Sequence, residues 1–405
     1  MSARKEGHRV SSCQPDPAMS TAPFGAECYD ITSLLDTLGE IPDPRDQWEK
    51  IYSLSFLLAV ILVATPTGAK CPREFHRRAA DLPQSLLAVL GAPRDFLVGG
   101  YREPSEKTIR LLLKKIDVDA LDTAFGSWLC AQAAPGQVAF AIDVKVLRGA
   151  WSGKDAQVRL LSAMLHGKGA VRVRVRIPDD TNEITHIQEL VTKLPKNARP
   201  TSHDARRHTH PARHRETPRE NRMDYILTVK GNQPTLERQT FERILPLLQE
   251  TPHHEVEERA HGRIKNWQTW TRTAEIIDFP HVETACVIRR DEFDLTGVRI
   301  SREHALILSS TPSERATAAY LHNRTRRHWG IENEIHYTRD TAWREDANPT
   351  YTGNTNHALA SFRNLAIGVI RLSGARKIKE TIKHVAANRY RALQLIATVC
   401  NGAGL

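Results

Sequence analysis

Two carboxylates stand out in this 405-residue chain because of what surrounds them. Glu332 lies in Arg324–Asp346, which reads R-T-R-R-H-W-G-I-E-N-E-I-H-Y-T-R-D-T-A-W-R-E-D. The first half of that stretch has no Pro, and a helix carries its single Gly, Gly330, at a cost of about 1 kcal/mol. The pattern therefore predicts a helix over Leu321–Arg339. Steps of three, four and seven residues put Glu332 on one face of it with His328, Ile335 and Arg339. Asp143 ends V-A-F-A-I-D, a short apolar run expected to form a central strand. A carboxylate buried there is costly unless something positive sits on it. A metal ion would answer that cost, and so would use of Asp143 in a turn or helix cap. For Glu332 the alternative is a solvated position on a surface helix, the usual place for a lone acid.

The wording around both residues is more particular than those alternatives require. H-W-x-I-E-N followed by a His, an Asp and R-E-D, together with A-I-D-V-K-V-L-R-G at Asp143, resembles the DDE transposases of bacterial insertion sequences, specifically the ISAs-type group. The resemblance runs from about Leu34 to Leu372. It implies an RNase H-like catalytic core, with Asp143 as first and Glu332 as third metal ligand and Mg²⁺ or Mn²⁺ as cofactor. Such carboxylates hold two ions about 3.5–4 Å apart, one activating the attacking hydroxyl and one stabilising the leaving oxygen, and oxygen ligands suit these metals. The implied reaction is hydrolysis at the ends of a mobile element, then attack of the freed 3′-hydroxyl on target DNA. The implied partners are the element's terminal inverted repeats, target DNA and further copies of the chain as a homo-oligomer on paired ends.

The chain departs from that pattern in places. Val144 stands where the family usually has Gly between the Asp and the Lys, and Thr325, His328 and Arg339 stand where the wider superfamily carries Tyr, Arg and Lys. Lys145, Arg148, Lys230, Arg327, His328 and Arg339 are the candidate DNA contacts. Lys230, in the K-G-N-Q turn after D-Y-I-L-T-V, is equally readable as an ordinary solvated turn residue.

The second acidic ligand should sit on a buried strand, and the sequence offers none. Between Leu194 and Met223 there is no Val, Ile, Leu, Met or aromatic residue, while Arg occurs seven times from Arg199 to Arg222. That composition has no apolar surface to offset the entropy of ordering a strand. Asp204 is the one carboxylate between Glu189 and Glu216, and so the candidate for the third catalytic and metal position. A metal cluster of His203, His208, His210 and His214 fits no familiar spacing and is flanked by repelling Arg residues. Two readings stay open: a basic DNA-binding loop, or a slip of the coding frame. Shifted by one base, suitable codons for Arg206–Arg219 give D-A-T-H-T-R-H-A-T-A-K-H-L-A, which resembles the family's second catalytic segment.

Composition agrees with a nucleic-acid partner. The formal charge of +10 favours a polyanion. Six scattered Cys without a C-x-x-C pair argue for a reduced intracellular protein without structural zinc. The apolar run Leu54–Ala64 is shorter than the roughly 20 residues a membrane span needs, so no membrane role is expected and the location is expected to be cytoplasmic and nucleoid-associated.

The expected fold class is α/β: an RNase H-like mixed sheet with a β-rich insertion, preceded by a small all-α domain. Residues 1–29 are expected to be a disordered leader and 30–132 a helical domain, a candidate for binding DNA ends, with Ser105 capping a helix that carries Arg110, Lys114 and Lys115. Residues 137–375 are expected to be the catalytic domain, opening on an antiparallel meander whose third strand is V-R-V-R-V-R-I and carrying an insertion at about 251–310. Residues 376–405 form a C-terminal helical segment. The competing functional classes are a catalytically inactive DNA-binding transposase relic and a metal-dependent nuclease without strand transfer.

Overall fold

The computed structural model describes residues 29–95, 99–132, 140–152, 156–165, 170–177, 224–229, 233–260, 262–279, 281–330, 335, 337–347 and 353–402, with the backbone alone described for 140–152, 156–165, 170–177 and 327–330. Residues 1–28 of the expected leader, the Arg-rich stretch 199–222, Lys230 and Glu332 lie outside the described residues.

The chain opens with helices α1 (Thr32–Gly39), α2 (Leu54–Ala64), α3 (Pro72–Ala80) and α4 (Gln84–Val89), followed by a short ribbon of β1 (Arg94–Asp95) and β2 (Gly100–Tyr101). Helices α5 (Glu106–Lys115) and α6 (Val118–Ala131) complete this region. Polar caps set where several of these helices begin. The Ser53 hydroxyl accepts from the Phe56 amide at 3.2 Å and starts α2 there. Asp117 accepts from the amides of Asp119 and Ala120 at 3.0 Å and starts α6 just after α5 ends. Ser105 caps α5 as expected, accepting from the Thr108 amide at 3.2 Å.

All of α2 except Ser55 is buried. Among the described residues no single helix is long and apolar enough to cross a membrane, and one bent pair, Leu54–Thr67 with Pro72–Ala80, passes on length and composition. The apolar surface of α2 is used in the core.

Strands β3 (Phe140–Ser152), β4 (Ala156–Leu165) and β5 (Ala170–Ile177) form an antiparallel meander in the order β3-β4-β5. The strand expected to stop at Asp143 continues to Ser152, because β4 supplies pairing partners as far as Ala156 opposite Ser152. Asp143 is therefore inside a strand and not at its end.

A second sheet holds β6 (Ile226–Val229), β7 (His254–Ala260), β8 (Arg263–Thr273), β9 (Thr284–Asp294) and β10 (Arg299–Ser309) in the order β6-β10-β9-β8-β7, with helix α7 (Pro234–Ile244) between β6 and β7 in sequence. Its tight β7–β8 turn requires Gly262, whose φ of 73° lies in the left-handed region. All pairings among the described residues are antiparallel. The strand expected to make the first sheet mixed would carry the second Asp, in the stretch outside the described residues.

Helices α8 (Ala318–Gly330), α9 (Tyr337–Trp343), α10 (Thr355–Leu372), α11 (Ile378–Ala386) and α12 (Arg391–Cys400) complete the chain. Of the stretch Leu321–Arg339, read as one helix, the described residues lie in α8 up to Gly330 and in α9 from Tyr337. Helix α10 is buried along almost its whole length and packs against β5, α5 and α6. Its Phe362 meets Phe125 edge-on at 5.2 Å, and its His357 pairs with buried Asp122 of α6 at 3.0 Å. Gly368 faces Leu129 so closely that a Cβ would lie 2.8 Å from the Leu side chain. The C-terminal helices share one apolar core with the N-terminal helices. The chain is thus α/β, with a helical N-terminal region and antiparallel sheets.

Candidate functional site

Asp143 is held by pairing on its sheet. It lies opposite Ser162 of β4, and Ser162 lies opposite Arg174 of β5. Two residues further along, Lys145 lies opposite Leu160, and Leu160 opposite Arg176. The acidic position is thus in a row with one Arg of the V-R-V-R-V-R strand, next to a row that carries a Lys and another Arg. Arg148 falls within the irregular pairing between Leu147 and Trp151.

Helix α8, which leads toward Glu332, packs against β3 and also against β6, β8 and β9. The structure therefore brings the Asp143 strand beside the helix that precedes Glu332, although about 190 residues separate the two in sequence. The reasons α8 is seated there are local. Leu321, His322 and Thr325 form its buried face. His322 is 1 % exposed, its Nδ1 lies 3.2 Å from the Thr269 hydroxyl of β8, and its ring stacks edge-on against His254 at 5.1 Å and Trp267 at 5.9 Å. Burial, with the nearby His254 and Arg326 charges, lowers its pKa to about 4, so the ring is neutral near pH 7. One turn on, the Arg326 guanidinium donates to both carboxylate oxygens of Glu258 on β7 at 2.5 and 2.9 Å, which holds the Glu258 pKa below its usual value.

The remaining sequence candidates divide by location. Arg327 and His328 lie in the last turns of α8, where only the backbone is described, while Lys230, Asp204 and Glu332 lie outside the described residues. Arg339 needs a correction. Expected as a DNA contact, it is fully buried, its Nη2 lies 2.8 Å from Glu345 Oε2, and its Nη1 donates to Asn364 Oδ1 at 3.2 Å. A guanidinium committed to interior partners is not offered to a phosphate. Among the described residues no group of three or more His, Cys, Asp or Glu is placed to hold a metal ion.

Sequence reasoning missed Glu345 as the partner of this Arg, Arg363 on the other side of Glu345, and also the His322 seat. The R-E-D triplet at Arg344–Asp346 was a visible signal for Glu345. Nothing in the local sequence signals Arg363, which lies 18 positions away on another helix.

The family described as Transposase DDE domain matches residues 134–368, and the one described as DDE_Tnp_1-associated matches residues 35–129. The chain belongs to the DDE transposase family. It is 28 % identical over 395 residues to YncI of Escherichia coli O157:H7, named as a candidate transposase, covering 91 % of this chain and 95 % of that protein. It is 24 % identical over 390 residues to YhhI of Escherichia coli (strain K12), named as an H repeat-associated candidate transposase, covering 93 % and 100 %. Among solved structures it is similar to a piggyBac transposase in a synaptic complex with hairpin DNA, at 11 % identity and a TM-score of 0.35, covering 82 % of this chain and 69 % of that one. In this transposase-family chain the domain match begins just before β3 and ends within α10.

Proposed function

We propose that the chain is an insertion-sequence transposase with an RNase H-like core, cutting DNA at the ends of its own element and joining the freed 3′-hydroxyl to target DNA. The observation that carries this reading is the packing of the Asp143 strand against the helix that runs toward Glu332. Carboxylate donors of this kind fit Mg²⁺ or Mn²⁺. When bound, the metal would activate the attacking oxygen and stabilise the leaving one. Asp143 and Glu332 would hold it, with Asp204 as the third ligand.

The basic rows around Asp143, with Lys230, Arg327 and His328, would bind DNA phosphates and hold the scissile bond in place. In this reading residues 30–132 engage the terminal inverted repeats and 137–375 form the catalytic domain with its insertion at 251–310. Residues 376–405 close the structure behind α10, and copies of the chain assemble on paired ends. The place of action is the cytoplasm, at the nucleoid.

The composition of Arg199–Arg222 favours a second reading, a DNA-binding relic whose chemistry was lost at that stretch. Cleavage of labelled end DNA in Mg²⁺ separates the two. Active wild-type protein with Asp143→Ala and Glu332→Ala both inactive is the result expected of a working transposase, while equal cutting by either variant overturns the assignment. End binding should survive both substitutions. Cleavage by the wild-type chain that Asp204→Ala abolishes would reject both the relic and the frame slip. Cleavage gained only on restoring the alternative frame between about Ala198 and Asn221 would establish the slip.

A further inference from the structure

The short 3₁₀ turn Glu345–Ala347 follows α9 directly and packs against β3, the strand that carries Asp143. Glu345 is held from two sides. Its Oε2 lies 2.8 Å from Arg339 Nη2, and its Oε1 accepts from Arg363 Nη1 at 2.8 Å. The three side chains are 6 %, 1 % and 4 % exposed. Arg339 also donates to Asn364 on α10, and Arg363 Nη2 donates to the Lys70 carbonyl at 3.2 Å, in the segment just before α3. Five parts of the chain thus meet at one carboxylate: α9, the 3₁₀ turn, α10, the segment before α3 and, through the turn, β3.

Charges this deeply buried persist only when paired and hydrogen-bonded. With a guanidinium at each oxygen, Glu345 is not available as a metal ligand, although its R-E-D setting and its closeness to the Asp143 strand would suggest that role. Arg339 is likewise committed to the interior. The arrangement does one thing well: it fixes the chain after the Glu332 segment against the strand that carries Asp143.

We infer that Glu345, clamped between Arg339 and Arg363, is a positioning residue of the candidate site. It sets the placement of the Asp143 strand relative to α9 and α10, and Arg339 serves this clamp and not DNA. The inference rests on the proposed carboxylate metal site, and its test keeps the two apart.

Mn²⁺ binding to the full chain is measured by the electron paramagnetic resonance signal of free Mn²⁺, which needs neither DNA nor turnover. Asp143→Ala tests the site itself, and wild-type Mn²⁺ affinity in that variant would remove the site and this inference with it. Given loss of binding in Asp143→Ala, Glu345→Gln is expected to weaken Mn²⁺ about ten-fold by freeing the turn, and Glu345→Asp, which keeps the charge, about three-fold. Should Glu345→Gln lose its cooperative thermal transition, Glu345→Asp carries the same reading. Wild-type Mn²⁺ affinity in folded Glu345→Gln overturns the positioning role. In parallel, Arg339→Gln is expected to leave the salt dependence of DNA binding unchanged, whereas a slope lower by about one would make Arg339 a phosphate contact after all.

Discussion

Acidification tests how helix α8 is seated on the second sheet. His322 is buried, and its pKa is lowered from 6.5 to about 4, first by burial and then by His254 and Arg326, with Glu258 opposing. The unfolded chain therefore takes up a proton at this residue at a pH where the folded chain does not. Stability that is complete above about pH 6.5 is lost as the pH falls toward about 4. One pKa unit is about 1.4 kcal/mol, so the ceiling on this loss is about 3 kcal/mol, and roughly 2 kcal/mol of it should appear between about pH 7.5 and about pH 5.

The pKa values of His304 and His384 are also lowered, chiefly by burial, so the wild-type slope alone is not diagnostic. The difference between wild type and His322→Gln isolates the one residue. Urea unfolding at the two pH values, followed by tryptophan fluorescence because Trp267 touches the His322 ring, should show His322→Gln losing about 2 kcal/mol less than wild type. Equal losses in the two proteins would refute the claim that this ring is held neutral by its seat between β7 and β8.

Two substitutions probe the packing behind the site. Gly368→Ala places a methyl against buried Leu129, with a closest approach of 2.8 Å. It should cost about 1–3 kcal/mol in chemical denaturation, as overpacking does, and no loss would mean that α10 and α6 shift apart freely. The Trp343 indole donates to the Thr65 carbonyl at 3.0 Å in the core, joining α9 to the N-terminal region. Trp343→Phe should cost about 1–3 kcal/mol for the lost indole bond and the volume left empty in the core, while the Thr65 carbonyl keeps its bond from the Gly68 amide, read as a lower melting temperature.

Much of the fold is written locally. The alternation V-R-V-R-V-R-I gives β5 with the bounds the pattern predicts, Ala170–Ile177, because side chains on a strand repeat every two residues wherever the strand lies. The Ser105 cap is legible for the same reason, since the hydroxyl and the amide it serves are three residues apart. Family membership was visible in the H-W-x-I-E-N and A-I-D-V-K segments. The frequency of Arg in 199–222 also showed, without any structure, where an apolar strand cannot be built.

What the sequence could not decide is which distant groups meet. The single helix expected over Leu321–Arg339 could not show that Arg339 would be buried against α10. The extent of β3 past Asp143 depended on its partner β4, and the row that joins Asp143 to Arg174 depended on the register of three strands. Arg339 shows the limit most sharply. On the sequence it is a cation on the same helical face as Glu332, equally suited to a phosphate or a carboxylate. Only the fold brings Arg363 from α10 and Glu345 from the turn beside it, and the cost of burying a charge without a partner then commits the guanidinium to the interior.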